Sequence, residues 1–87
     1  MFVILVYDIG ERRVARVMKK CREYLTWVQN SVFEGEITRA NLYRLRRELD
    51  QMIHHDEDSV IIYILRTTLY SKRVILGREK GGFDEIL

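Results

Sequence analysis

Apolar and polar positions follow three rhythms along the chain, and each rhythm predicts an element. Phe2-Val3-Ile4-Leu5-Val6-Tyr7-Asp8 runs apolar without a break until it meets a carboxylate. A strand without polar alternation needs both faces covered, so this one is expected at the centre of a sheet with helices on at least one side. From Glu11 to Leu25 the period changes. Val14, Val17, Met18, Cys21 and Leu25 recur at i, i+3, i+4, i+7 and i+11, the stripe of a helix packed on a sheet. Trp27 to Ile37 is extended again, with Gln29-Asn30-Ser31 breaking up Val28, Val32 and Phe33, and with Gly35 at a bend or hairpin corner. Thr38 is a good N-cap for a second helix, whose stripe is Leu42, Leu45, Leu49, Met52 and Ile53. Ser59 to Leu65 is a second apolar strand, long enough to be central. Arg73-Val74-Ile75-Leu76 is a short strand stopped by Gly77.

The order is strand, helix, strand with a bend, helix, strand, short strand, tail. A helix joining two strands needs a crossover. Two such units in one small sheet make an α+β, ferredoxin-like βαββαβ arrangement, provided that 27–37 supplies a hairpin of Trp27–Val32 and Phe33–Ile37. Residues 1–77 form this domain. The tail, 78–87, is polar except for Phe83, Ile86 and Leu87, which is the composition of a segment that docks.

At 87 residues there is room for one domain, which buries only ~60–65% of its unfolded surface and gains from a partner subunit. The chain is 47% hydrophobic and 32% charged, a globular balance, and no apolar run reaches the ~18 residues of a membrane span. With no secretory signal and a single cysteine, Cys21, which falls at a core spacing, the expected setting is the cytoplasm. Net charge is +2, but its distribution is uneven. Residues 1–49 hold ten Lys/Arg against six Asp/Glu, whereas 50–87 hold five against seven. A basic first half is the footprint of a polyanion binder, and equally that of a solvated helix face.

Candidate chemistry gathers at the end of the first strand. Asp8 stands where α/β folds place reactive groups, or else caps the helix beginning near Glu11. Arg12 and Arg13 occupy the first turn of that helix, unfavourable against the helix dipole unless something anionic meets them. His54-His55-Asp56-Glu57-Asp58 contains metal-ligating residue types, but their sequential spacing reads as a polar helix-to-strand connection.

Val6-Tyr7-Asp8-Ile9, Val28-Gln29-Asn30-Ser31-Val32-Phe33-Glu34-Gly35 and Ser59-Val60-Ile61-Ile62-Tyr63, in this order, resemble the CRISPR-associated protein Cas-two family over nearly the whole chain. The resemblance implies a ferredoxin-like protomer in a symmetric homodimer, with an extra C-terminal strand exchanged in the dimer and a tail, 78–87, docking on the partner subunit. It implies Mg²⁺ at the dimer interface, bound by Asp8. Asp8 and the preceding Tyr7 then match the catalytic positions, and Arg12, Arg13, Arg16, Ser31 and Phe33 match the nucleic-acid-binding ones. The implied partners are the Cas-one integrase, duplex DNA and single-stranded RNA. One departure stands out: many members carry an arginine two residues before the glutamine, where this chain has Trp27.

Two functions compete. One is an endonuclease, a hydrolase of RNA or double-stranded DNA in which a divalent metal polarises the phosphate and activates water. Two Asp8 residues related by a two-fold axis make a better Mg²⁺ site than one. The other is a platform for antiviral defence that holds duplex DNA by its backbone during spacer acquisition while another protein does the chemistry. A non-catalytic ferredoxin-like sensor domain is a third reading, which the motifs disfavour.

Overall fold

The computed structural model describes residues 1–66 and 72–81. Six elements follow one another: β1 (Phe2–Asp8), α1 (Glu11–Arg22), β2 (Thr26–Gln29), β3 (Val32–Glu36), α2 (Arg39–Met52) and β4 (Ser59–Leu65). The strands form one sheet in the order β2-β3-β1-β4, antiparallel at every step. Each helix therefore crosses over the strand lying between the two it connects. This is the ferredoxin-like βαββαβ arrangement expected from the element order.

Strand alternation sorts β1 into two faces. Val3, Leu5 and Tyr7 point toward the helices and join Val17, Cys21, Phe33, Leu42, Leu45 and Leu49 in the core. Phe2, Ile4, Val6 and Asp8 lie on the opposite face, which no helix covers. Both predicted helix stripes are the buried ones, with Val14, Met18, Met52 and Ile53 packed at the core's margin. Burial pushes the Cys21 thiol up to about 12, so it packs as a small apolar group. Thr38 caps α2 as expected, its Oγ1 accepting from Asn41 N at 3.1 Å.

Three expectations change. The hairpin corner is Asn30-Ser31, and Val32 begins β3 instead of ending β2. Asn30 takes φ +43°, which asparagine tolerates, and Trp27 Nε1 closes the corner by donating to Asn30 O at 2.9 Å. Gly35 sits inside β3 opposite Val3, where a Cβ would press on Leu25. Within the described residues β4 is an edge strand, not a central one, although it is apolar on both faces. Val60 and Ile62 pack against the core, while Ile61 (48% exposed) and Tyr63 (56%) stand open beside Val6 and Ile4. Finally, residues 73–76 join no ladder within the described residues. They pass near β2 and β3, and with Thr26, Trp27, Glu34 and Lys80 they enclose a cavity of about 260 Å³. Gly81 touches the backbone of Trp27 and Val28, an approach that a Cβ would block. The tail residues Phe83, Ile86 and Leu87 lie outside the described residues.

Candidate nucleic-acid interface and metal site

Asp8 ends β1 opposite Ser59 of β4, exposed at the rim of the open sheet face. Among the described residues no donor reaches its carboxylate. It does not cap α1: the N-cap is Gly10, which brings no side chain. The anion at the head of α1 is Asp58 instead. Its side chain is 0% exposed and accepts from Gly10 N (2.8 Å), His54 N (2.8 Å), and Arg13 Nε (2.5 Å) and Nη2 (2.9 Å). Arg13 also reaches Glu57 Oε1 at 3.0 Å, at the surface. The Arg13 guanidinium and the two backbone donors hold the Asp58 carboxyl well below the usual carboxylate range, and the same pairing raises Arg13.

This clamp accounts for the unfavourable cation in the first turn of α1. The anion that Arg13 meets belongs to its own chain. The 54–58 run is a turn in which Glu57 N and Asp58 N both donate to His54 O, and it carries Asp58 inward. Its other polar residues stay outside, His55 against Asp50 (3.3 Å). No group of three His, Cys, Asp or Glu gathers among the described residues. Asp8 therefore belongs to no three-ligand cluster among the described residues.

The other expected site residues fall into two sets. Arg12 and Arg16 are exposed one turn apart on the outer face of α1, with no carboxylate partner among the described residues. Phe33 and Tyr7 point the other way. Phe33 is 0% exposed and stacks on Tyr7 (4%) at 6.2 Å between ring centroids. A base cannot reach a ring enclosed in the core, so Phe33 takes a packing role in place of the expected nucleic-acid contact. Burial raises the Tyr7 phenol above its usual value and keeps it neutral. Tyr7 and Asp8 lie on opposite faces of β1, so the Tyr7 ring packs in the core, away from the face that carries Asp8. Ser31 is half-buried at the hairpin corner, its carbonyl accepting from Tyr7 N at 3.1 Å, which ties the corner to the exit of β1.

Two further groups carry no sequence signal. Glu34 is buried on the open face, 3.2 Å from Arg73 Nε, and burial raises its carboxyl more than Arg73 lowers it. Asp58 is one acid among three in a polar run. Both depend on tertiary neighbours 39 to 48 positions away, beyond any local pattern.

A family model described as CRISPR associated protein Cas2 matches residues 1–73. The CRISPR-associated endoribonuclease Cas2 of Dictyoglomus turgidum is 54% identical over 87 residues and covers the whole of both chains. That of Methanocaldococcus jannaschii is 47% identical over 87 residues, which is 100% of this chain and 76% of the relative. A Cas2 crystal structure superposes with a TM-score of 0.83 at 45% identity, covering 100% of this chain and 98% of the other. Streptococcus pyogenes Cas2 superposes at 0.78 with 32% identity, over 88% of this chain and 100% of that one.

Proposed function

The chain belongs to the family of CRISPR associated protein Cas2, and from that premise we propose that it is a homodimeric platform holding duplex DNA by its phosphates, beside the Cas-one integrase, during spacer acquisition. The observation that carries this reading is the contrast within the first turns of α1. Arg13 is tied to Asp58 and Glu57, while Arg12 and Arg16 project outward without a carboxylate among the described residues. Paired cations brace a fold, whereas unpaired cations in a row attract a polyanion and release its counterions.

Dimerisation is supported by the open face. Among the described residues no helix covers the apolar ground of Val6, Ile4, Ile61 and Tyr63, and no strand pairs the outer edge of β4. The protein should sediment as a dimer at micromolar concentration, and a chain ended after Gly77 should dimerise more weakly. A truncated chain that stays fully dimeric would remove the tail from the interface.

Salt dependence tests the phosphate contacts. Each contact adds ~0.9 to the log–log slope of duplex affinity against salt, and a dimer presents each arginine twice. Arg16→Ala should lower the slope by roughly 2. Arg13→Ala should leave the slope nearly unchanged and lower the melting temperature instead. If Arg13→Ala changes the slope and Arg16→Ala does not, the assignment is reversed.

Hydrolysis is the second reading, and Asp8 favours it. Two exposed Asp8 carboxylates across a two-fold axis fit Mg²⁺, which prefers few carboxylates and several waters. The metal, when bound, supplies Lewis-acid polarisation of a phosphate oxygen and activation of water. The chain's own contribution is to place Asp8 on a rigid central strand, with Tyr7 and Phe33 packed behind it and the Ser31 corner bonded to its neighbour.

A further inference from the structure

The outer face of α2 carries none of the residues given a role above. Tyr43 is 60% exposed there. Arg39 and Arg47 lie one turn before and after it on the same face, and Arg44 is adjacent. All three arginines are exposed, and none has a carboxylate partner among the described residues. The Arg47 guanidinium lies over the Tyr43 ring, 5.8 Å from its centroid. Glu48 also borders this face, and its carboxylate is engaged from α1, accepting from Tyr24 Oη at 3.0 Å and lying 3.7 Å from Lys20. Ala40 adds no bulk beside the ring, and with Tyr43, Arg44, Arg47, Glu48 and Gln51 it lines a concavity of about 440 Å³.

We propose that this face is a stacking surface for single-stranded nucleic acid. Two features select that ligand. Exposed guanidinium groups around an aromatic ring meet phosphates and base faces together, and every base has a face to stack. In duplex DNA the base faces are already stacked on one another, so a duplex would use the arginines and leave the tyrosine idle. The surface uses none of the α1 arginines. It lies on another helix, and its signature is the ring rather than the charge. A displaced or frayed strand beside a held duplex is the form in which such a ligand would arise.

Binding of oligo(dT) and of oligo(U), each of about 16 nucleotides, an upper site size for small binding modules, tests this beside a mixed-sequence duplex. Full-length wild type is compared with Tyr43→Ala, Tyr43→Phe and Arg47→Ala, with fluorescence anisotropy as the readout. Tyr43→Ala should weaken single-strand binding about tenfold in at least one arm, and that arm identifies the strand. Tyr43→Phe keeps the stacking face and should stay within about twofold of wild type. Duplex affinity and melting temperature should not move, because the ring is exposed. Unchanged affinity of Tyr43→Ala for both oligonucleotides overturns the proposal. So does an equal loss on the duplex, which would make α2 part of the duplex surface. Failure of the α1 salt-slope test leaves this result standing, since the two experiments read different helices.

Discussion

Asp8→Asn is expected to abolish Mg²⁺-dependent cleavage, by at least ~100-fold, while the protein folds and binds duplex DNA as before. The substitution keeps the side-chain volume and removes the charge. Because the carboxylate is exposed and takes no hydrogen bond among the described residues, the fold does not depend on it. A Mg²⁺ held by Asp8 would depend on it, because an amide oxygen in place of the carboxylate removes the charge that the side chain would bring to the metal. The assay compares wild type and Asp8→Asn on single-stranded RNA and on duplex DNA, with and without Mg²⁺. Loss of cleavage with unchanged duplex affinity separates the hydrolytic site from the platform. Equal cleavage by both proteins removes Asp8 from any metal site. Wild type that cleaves neither substrate leaves the platform as the whole function. Trp27 then gains interest, since it fills the hairpin corner with its ring nitrogen bonded to Asn30 O, at a place where many relatives are expected to carry an arginine.

The fold was legible because its signals are local. An unbroken apolar run put β1 at the centre, and two 3.6-period stripes marked the helix faces that are buried. Thr38 announced α2 through a bond spanning three residues. The site was legible only in part, because what decides a side chain's role is its distant partner. Arg12, Arg13 and Arg16 look alike in sequence. Arg13 is set apart by Asp58, 45 positions later, and nothing in the sequence spacing distinguishes it from its neighbours. Phe33 lies in a motif that suggests binding, yet strand register turns its ring into the core opposite Leu5. The position of β4 depended on a similar ambiguity. Apolar residues on both faces mean burial on both faces, but a partner chain can cover one as well as a helix can. The period-2 pattern cannot say which.

The largest effect on stability is expected at Asp58. Asp58→Ala should lower the melting temperature by ~10 °C or more, measured at the same protein concentration as wild type. The change strips the acceptor from Gly10 N, His54 N and Arg13 at once. It leaves two backbone donors without partners and a half-buried guanidinium holding only Glu57 at the surface, which is the destabilising half of breaking a buried pair. Acid should erase part of this difference. The Asp58 carboxyl lies below its ordinary value in the folded protein, so the unfolded chain binds the proton first as pH falls. The stabilisation it provides is complete above about pH 4 and is lost as pH drops through the folded value. Glu34 works in the opposite sense. Burial raises its carboxyl, so the folded state holds the proton longer, and stability declines as pH rises from the ordinary carboxylate value through the raised one. Glu34→Gln should flatten that decline, while Asp58→Ala should flatten the acid limb. Thermal melts from about pH 2 to about pH 7 separate the two. The melting gap between wild type and Asp58→Ala should be widest near neutrality and shrink below about pH 4. A gap of constant size across the whole range would show that the Asp58 charge contributes nothing and that the variant loses only packing.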